Sequence, residues 1–131
     1  MSIFNEHASE ILITLFFIIT YFLSILEKLV DWKGTVIYYN NHFGKTILKN
    51  IIPFLLIKVL IFEILTVLLL TFGLYYLVIE DVKIIVKIGL EISAITLLIF
   101  LVGQRFVKDY QGAMNITVYF ILNIIGIYIL T

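Results

Sequence analysis

The feature that most constrains this chain is a set of four apolar runs, each long enough to cross a bilayer. They cover residues 11–30, 51–77, 84–103 and 113–130. A helix of about 20 apolar residues, rising roughly 1.5 Å per residue, spans the hydrocarbon core. Apolar residues are continuous in these runs rather than alternating, which excludes the strands of a membrane barrel. The sequence therefore predicts an all-α integral membrane protein, a four-transmembrane-helix bundle that forms a single domain over residues 1–131.

The composition supports a membrane protein and excludes several kinds of chemistry. Hydrophobic residues make up 63% of the chain and charged residues only 14%, more apolar surface than a soluble domain of this length can bury. There is no cysteine, so disulfides, thiol redox relays and iron–sulfur ligation are excluded. The histidines, His7 and His42, lie outside the apolar runs, so neither a haem nor a metal site is expected inside the bundle. The net charge is zero, which gives no reason to expect a nucleic-acid partner.

The distribution of basic residues between the runs predicts an orientation. Six lie on one side of the predicted membrane: Lys28, Lys33, Lys45, Lys49, Arg105 and Lys108. The other side has only Lys83 and Lys87. The positive-inside rule then places the first and third loops in the cytoplasm and both termini outside it. The first loop also contains Trp32, Tyr38 and Tyr39, which is typical of a segment in the headgroup region; a ligand-binding role for this aromatic-rich loop is the alternative.

Three polar residues fall deep inside the apolar runs. They are Glu63 in the second run, Glu91 in the third and Asn123 in the fourth. An ionised side chain at the centre of a membrane helix costs about 2.5–3.5 kcal/mol, so these residues are expected to face inward as one polar cluster at similar depth. Two interpretations remain open. The cluster either holds the helices together by hydrogen bonds, or it is a site for proton transfer or ligand binding.

A second candidate cluster lies at the predicted cytoplasmic end of the bundle. Glu27 ends the first run, and Arg105 and Lys108 follow the third. We expect Glu27 to form a salt bridge with one of the two basic residues across the end of the bundle. Exposed pairs of this kind contribute about 0–1 kcal/mol, so this cluster is interpreted as structural.

Three sequence features carry a resemblance to a known family. The segment LEKLVDWKG after the first run, Glu63 followed ten residues later by Gly73, and the segment GQRFVKDYQGA before the last run resemble the DoxX family of small four-helix membrane proteins. The matching positions are Glu27, Lys28, Asp31, Gly34, Glu63, Gly73, Arg105, Asp109, Gly112 and Ala113.

The resemblance implies a four-helix bundle in the bacterial inner membrane. Some members of that family are subunits of a thiosulfate:quinone oxidoreductase, and others are associated with redox or detoxification systems. Related redox proteins use a cysteine pair, and this chain has no cysteine. That difference excludes thiol chemistry and favours a role without direct catalysis.

Three functions follow as hypotheses. The first is an accessory or structural subunit that docks to a larger membrane complex or to further copies of itself, since the chain has no redox-active side chains. The alternative is a quinone-linked oxidoreductase component in which the buried carboxyls Glu63 and Glu91 bind quinone or relay protons, with quinone as the cofactor. The third is a small proton-coupled transporter. Four-helix drug exporters have their essential glutamate in the first helix, whereas here that helix has only Glu27 near its end.

Overall fold

A computed structural model describes residues 7–44 and 51–131 and confirms an all-α four-helix bundle. The helices are α1 (Ala8–Val30), α2 (Trp32–His42), α3 (Ile52–Glu80), α4 (Ile84–Phe106) and α5 (Tyr110–Leu130). All except α2 are long and apolar enough to cross a membrane, so the chain is a multi-pass membrane protein. Their bounds lie within three residues of the prediction. Lys45 and Lys49, which contributed to the predicted orientation, lie outside the described residues.

The four long helices run up and down around the bundle, each packed against its two neighbours. α1 contacts α3 and α5, and α4 packs against the same two helices from the other side. Three-residue loops join α3 to α4 and α4 to α5, and such short connections make these neighbours antiparallel.

The two ends of the bundle are marked by histidines. At the His7 end, His7 Nε2 lies 2.8 Å from Asp81 Oδ1, which joins the start of α1 to the end of α3. At the opposite end, called the α2 end, His42 Nε2 lies 3.5 Å from Gln104 Oε1 and 3.9 Å from Asp109 Oδ2.

Two helices begin with the same capping motif. Asp31 Oδ1 accepts a hydrogen bond from Gly34 N at 3.0 Å at the start of α2, and Asp109 Oδ1 accepts one from Gly112 N at 2.9 Å at the start of α5. Each carboxylate satisfies a backbone N–H that has no partner within its own helix. A side chain at either glycine would collide with the capping carboxylate. The segments DWKG and DYQG, both part of the family resemblance, therefore act as helix caps.

The apolar core has two parts that together fix the helix packing. The larger part fills the His7 half of the bundle and includes Phe17, Leu70, Leu77, Val86 and Leu90. The smaller part consists of Phe43, Ile52 and Leu56, with Trp32 and Tyr39 packed against it. This second cluster holds α2 against the first turns of α3, so the segment predicted as an interfacial loop is a helix docked on the bundle.

Candidate functional site

The centre of the candidate site is a buried ion pair between α1 and α3. Lys28 Nζ lies 2.9 Å from Glu63 Oε1 and donates a second hydrogen bond to Ser24 Oγ at 2.7 Å. Glu63 has no exposed surface and Lys28 is only 7% exposed. Glu63 is therefore buried as predicted, but its partner is a lysine rather than a second carboxyl.

Lys28 is buried because it continues the inward-facing stripe of α1. The buried residues of this helix are Ile11, Thr14, Phe17, Tyr21, Ile25 and Lys28, spaced three or four apart as one helix face requires. The position of Lys28 at the end of the first apolar run predicts a loop residue that helps to set orientation, whereas the structure buries it. The signal that would have placed it correctly is this spacing, which runs without a break from Ile11 to Lys28.

The ion pair leaves one acceptor unsatisfied. Among the described residues, no group donates a hydrogen bond to Glu63 Oε2, although this atom is fully buried. A buried acceptor without a partner costs free energy comparable to a lost hydrogen bond, and more when the group is charged. Glu63 can therefore accept one more hydrogen bond, from a donor that reaches its Oε2 atom.

A polar cleft of about 360 Å³ opens beside the ion pair at the α2 end. Its walls come from the last turns of α1 and from α2: Ser24, Glu27, Lys28, Asp31, Gly34, Thr35, Tyr38 and Tyr39. Burial raises the pKa of the Tyr39 hydroxyl above its ordinary value, and the neighbouring Tyr38, Glu63 and Glu27 add to the rise. Tyr39 therefore remains a neutral hydrogen-bond donor at pH 7.

An apolar cleft of about 310 Å³, also lined by Tyr39, lies between α2, α3 and α4. Apart from Tyr39 and Gln104, apolar side chains and Gly103 form its walls: Phe43, Ile52, Leu55, Leu56, Val59, Ile99, Phe100, Val102 and Phe106. Tyr39 lines both clefts, so the polar and apolar clefts are neighbours.

Glu91 does not join Glu63, and the predicted cluster of three is wrong in this respect. Glu91 is exposed on the outer surface of α4. It lies about 10 Å from Ile84 along α4, whereas Glu63 lies about 25 Å from Glu80 along α3, both counted from the His7 end at 1.5 Å per residue. The two carboxyls therefore differ in depth by about 15 Å, because Glu63 lies far from the His7 end of α3 and Glu91 lies close to the His7 end of α4.

Asn123 is buried, but it belongs to a separate network in the His7 half. Asn123 Nδ2 donates to Ser93 Oγ at 2.7 Å, and Ser93 Oγ donates to Tyr21 OH at 2.7 Å. Ser93 and Asn123 lie about 13 Å and 10 Å from the His7 ends of their helices, so they meet at one depth. This network joins α1, α4 and α5 without a charge, and it fits the packing interpretation of the polar residues.

The predicted salt bridge at the other end of the bundle is also absent. No ion pair joins Glu27 to Arg105 or Lys108, although the structure describes all three. Glu27 faces the polar cleft, while the Arg105 guanidinium lies over the Tyr110 ring, 5.0 Å from its centroid. The interaction across this end is instead the one between His42, Gln104 and Asp109.

The remaining observations restrict the chemistry that the site offers. Among residues 7–44 and 51–131, no group of three or more histidine and acidic residues is placed to hold a metal ion. Glu63 and Glu91 are about 15 Å apart along the bundle axis, so quinone binding by these two carboxyls together stays a prediction that their separation does not favour. Comparisons with protein-family models, with curated proteins and with solved structures found no match.

Proposed function

We propose that this chain is a DoxX-like accessory subunit of a larger membrane complex and that it docks through the outer face of α4. The observation that carries the proposal is the position of Glu91. Its carboxyl is exposed on a helix whose other outward residues include Ile84, Ile88, Ile95 and Leu98. In a bilayer this face would present an acidic group to lipid.

The free-energy cost of that exposure is the physical argument for a partner. An ionised carboxyl costs about 2.5–3.5 kcal/mol at the centre of a membrane helix, and part of that cost applies to Glu91, which lies about 10 Å inside the end of α4. Lys87 lies one turn earlier on α4, but the two described residues form no ion pair. A neighbouring membrane helix that presents a cation or a hydrogen-bond donor at this depth removes the cost. We therefore infer a partner helix of that chemistry.

The proposal extends to location. The α2 end carries the exposed basic residues Lys33, Arg105 and Lys108, whereas Lys83 and Lys87 lie at the His7 end. This distribution supports a cytoplasmic α2 end in the bacterial inner membrane. Lys28 adds less to this bias than its place in the sequence suggests, because it is buried against Glu63.

The test is mass spectrometry of proteins that co-purify with the tagged chain from its native membrane in mild detergent. We expect stoichiometric membrane subunits with the unaltered chain and an about tenfold loss with Glu91→Gln. Glu80→Gln is the matched control, because Glu80 is an exposed carboxyl at the end of α3, outside the proposed docking face. A chain that migrates alone in every mild detergent would contradict the proposal, as would equal recovery of partners with both variants.

A further inference from the structure

The polar cleft and the apolar cleft are neighbours of opposite chemistry. The polar cleft holds about 360 Å³ and the apolar cleft about 310 Å³, and Tyr39 lines both. Adjacent spaces of these two kinds, at the end of a membrane bundle, fit a molecule with a polar head and an apolar body. The charge of the polar cleft then decides which head it accepts.

The polar cleft selects a cation. Glu27 and Asp31 line it with carboxylates, while the charge of its lysine, Lys28, is already matched by Glu63 at 2.9 Å. Glu63 lies directly behind Lys28, and its Oε2 atom is fully buried without a partner among the described residues. The cleft and the layer behind it therefore contain three carboxylates against one ammonium, an excess of negative charge and of acceptors.

The aromatic walls narrow the class of cation. The rings of Tyr38 and Tyr39 lie at 90° to each other, with their centroids 5.1 Å apart. Aromatic faces attract ammonium groups, and carboxylates beside them strengthen the selection. An ammonium has three N–H donors and no acceptor, which suits the carboxylates and the hydroxyls of Ser24 and Thr35 in this cleft.

We propose that the two clefts form one site for an alkylammonium amphiphile. The ammonium lies among Glu27, Asp31 and the tyrosine rings, and the apolar body lies between α3 and α4 beyond Tyr39. The same chemistry has two sources, the ethanolamine headgroup of a membrane lipid or a free amine with an alkyl chain.

The chain contains its own reporter for this site. Trp32 is the sole tryptophan, and it packs against the Phe43, Ile52 and Leu56 cluster, all three residues of which line the apolar cleft. The experiment follows the fluorescence of the full chain in maltoside micelles as dodecylammonium is added, with dodecanol as the uncharged probe of equal chain length. We expect a saturable spectral shift with dodecylammonium and none with dodecanol.

Variants in the polar cleft test whether its carboxylates bind the ammonium head of the amphiphile. We expect Glu27→Gln and Asp31→Asn each to weaken dodecylammonium binding about fivefold, as loss of a partly exposed ion pair predicts. Asparagine retains the helix-capping role of Asp31, and Glu27 is exposed, so neither change removes a packing contact. Glu80→Gln is the control at the far end of α3 and leaves binding unchanged.

A variant in the apolar cleft tests whether this cleft binds the alkyl chain of the amphiphile. A Cβ atom at Gly103 would lie 3.4 Å from the Phe43 ring, an ordinary contact, and Gly103 lines the apolar cleft, so we expect the larger side chain of Gly103→Leu to occupy part of the cleft. We expect about tenfold weaker binding, because the alkyl chain loses about two methylene groups of burial. Thr71→Leu, on the exposed surface of α3, is the matched control.

Lipid competition separates the two sources. Displacement of dodecylammonium by phosphatidylethanolamine but not by phosphatidylglycerol assigns the site to the lipid headgroup. Binding that resists both lipids assigns it to a free amine, and either result agrees with an ammonium site. Equal responses to dodecylammonium and dodecanol, no response to either, or unchanged binding in both Glu27→Gln and Asp31→Asn would overturn the proposal.

Discussion

Glu63 and Glu91 are two carboxyls on adjacent, packed helices, and the fold places one in the interior and the other on the surface. Glu63 has no exposed surface and lies 2.9 Å from Lys28. Glu91 is exposed on the outer face of α4 without an ion pair among the described residues. An unpaired carboxylate is costly at either position. At Glu63 this cost is offset inside the bundle by Lys28. At Glu91 it can be offset only by a molecule that contacts the outer face of α4.

The register of α3 against α4 produces this difference. A Cβ atom at Gly73 would lie 2.7 Å from the backbone nitrogen of Val86, so the two helices are in close contact near the His7 end. From that contact α3 runs on to the α2 end, where Glu63 reaches Lys28. Glu91 is only five residues beyond Val86 on α4, in the His7 half of the bundle. The two carboxyls are therefore about 15 Å apart along the bundle axis.

The largest expected effect comes from Lys28→Met, which would make Glu63 resemble Glu91 by removing its partner. Loss of one member of a buried pair leaves an uncompensated charge, and we expect the free energy of unfolding to fall by about 3–5 kcal/mol. The measurement is unfolding of the purified chain in mixed micelles with increasing dodecyl sulfate.

The double variant Lys28→Met with Glu63→Leu is the control for that result. It removes both charges and keeps apolar volume at both positions, so most of the lost stability should return. If Lys28→Met alone unfolds at the same dodecyl sulfate fraction as the unaltered chain, the ion pair does not stabilise the bundle and the contrast with Glu91 disappears.

The next effect in size concerns the register itself. In Gly73→Ala the new methyl group meets the Val86 backbone, which cannot rotate away as a side chain does. We expect a loss of about 1–3 kcal/mol in the free energy of unfolding, the usual range for overpacking, by the same micelle titration. Gly103→Ala is the matched control, since its Cβ makes only ordinary contacts. Equal stability of the two variants would show that close approach at Gly73 does not set the register.

The sequence predicted the positions of the long helices correctly, but it did not predict which groups their buried polar residues contact. Continuous apolar runs specify membrane helices by length and hydropathy alone, so the four long helices were predicted to within three residues. Contacts such as that of Lys28 with Glu63 depend on the register of one helix against another. The sequence of one apolar run does not specify that register. Depth was misjudged for Glu63 because the middle of α3 is not the middle of the bundle.

α2 shows the second limit. Its sequence, WKGTVIYYNNH, has no apolar stripe of helical period and contains residues that favour turns. The helix is held by its Asp31 cap and by packing on the Phe43, Ile52 and Leu56 cluster. Both are tertiary or capping effects that override weak local propensity. The capping signal was present in the segment DWKG.

A smaller effect tests the uncharged network that lies nearer to the depth of Glu91. Ser93→Ala removes the hydroxyl that links Tyr21 to Asn123, and we expect a loss of about 1 kcal/mol, the range for hydrogen bonds between membrane helices. Thr20→Ala is the control, because the Thr20 hydroxyl bonds only to Phe16 O within α1. A loss as large as that of Lys28→Met would mean that the neutral network, rather than the ion pair, dominates the polar stabilisation of this bundle.

The smallest effect on stability is expected for a substitution of Glu91, the exposed member of the pair of carboxyls. Glu91→Gln changes an exposed side chain with no partner to lose, so the free energy of unfolding of the isolated chain in maltoside should move by less than about 0.5 kcal/mol. The same substitution is expected to remove partners in the native membrane. A neutral effect on the isolated chain combined with a large effect on co-purification separates a docking residue from a packing residue. If Glu91→Gln instead destabilises the isolated chain by as much as Ser93→Ala, Glu91 stabilises α4 within the bundle, and its exposure would no longer require a partner.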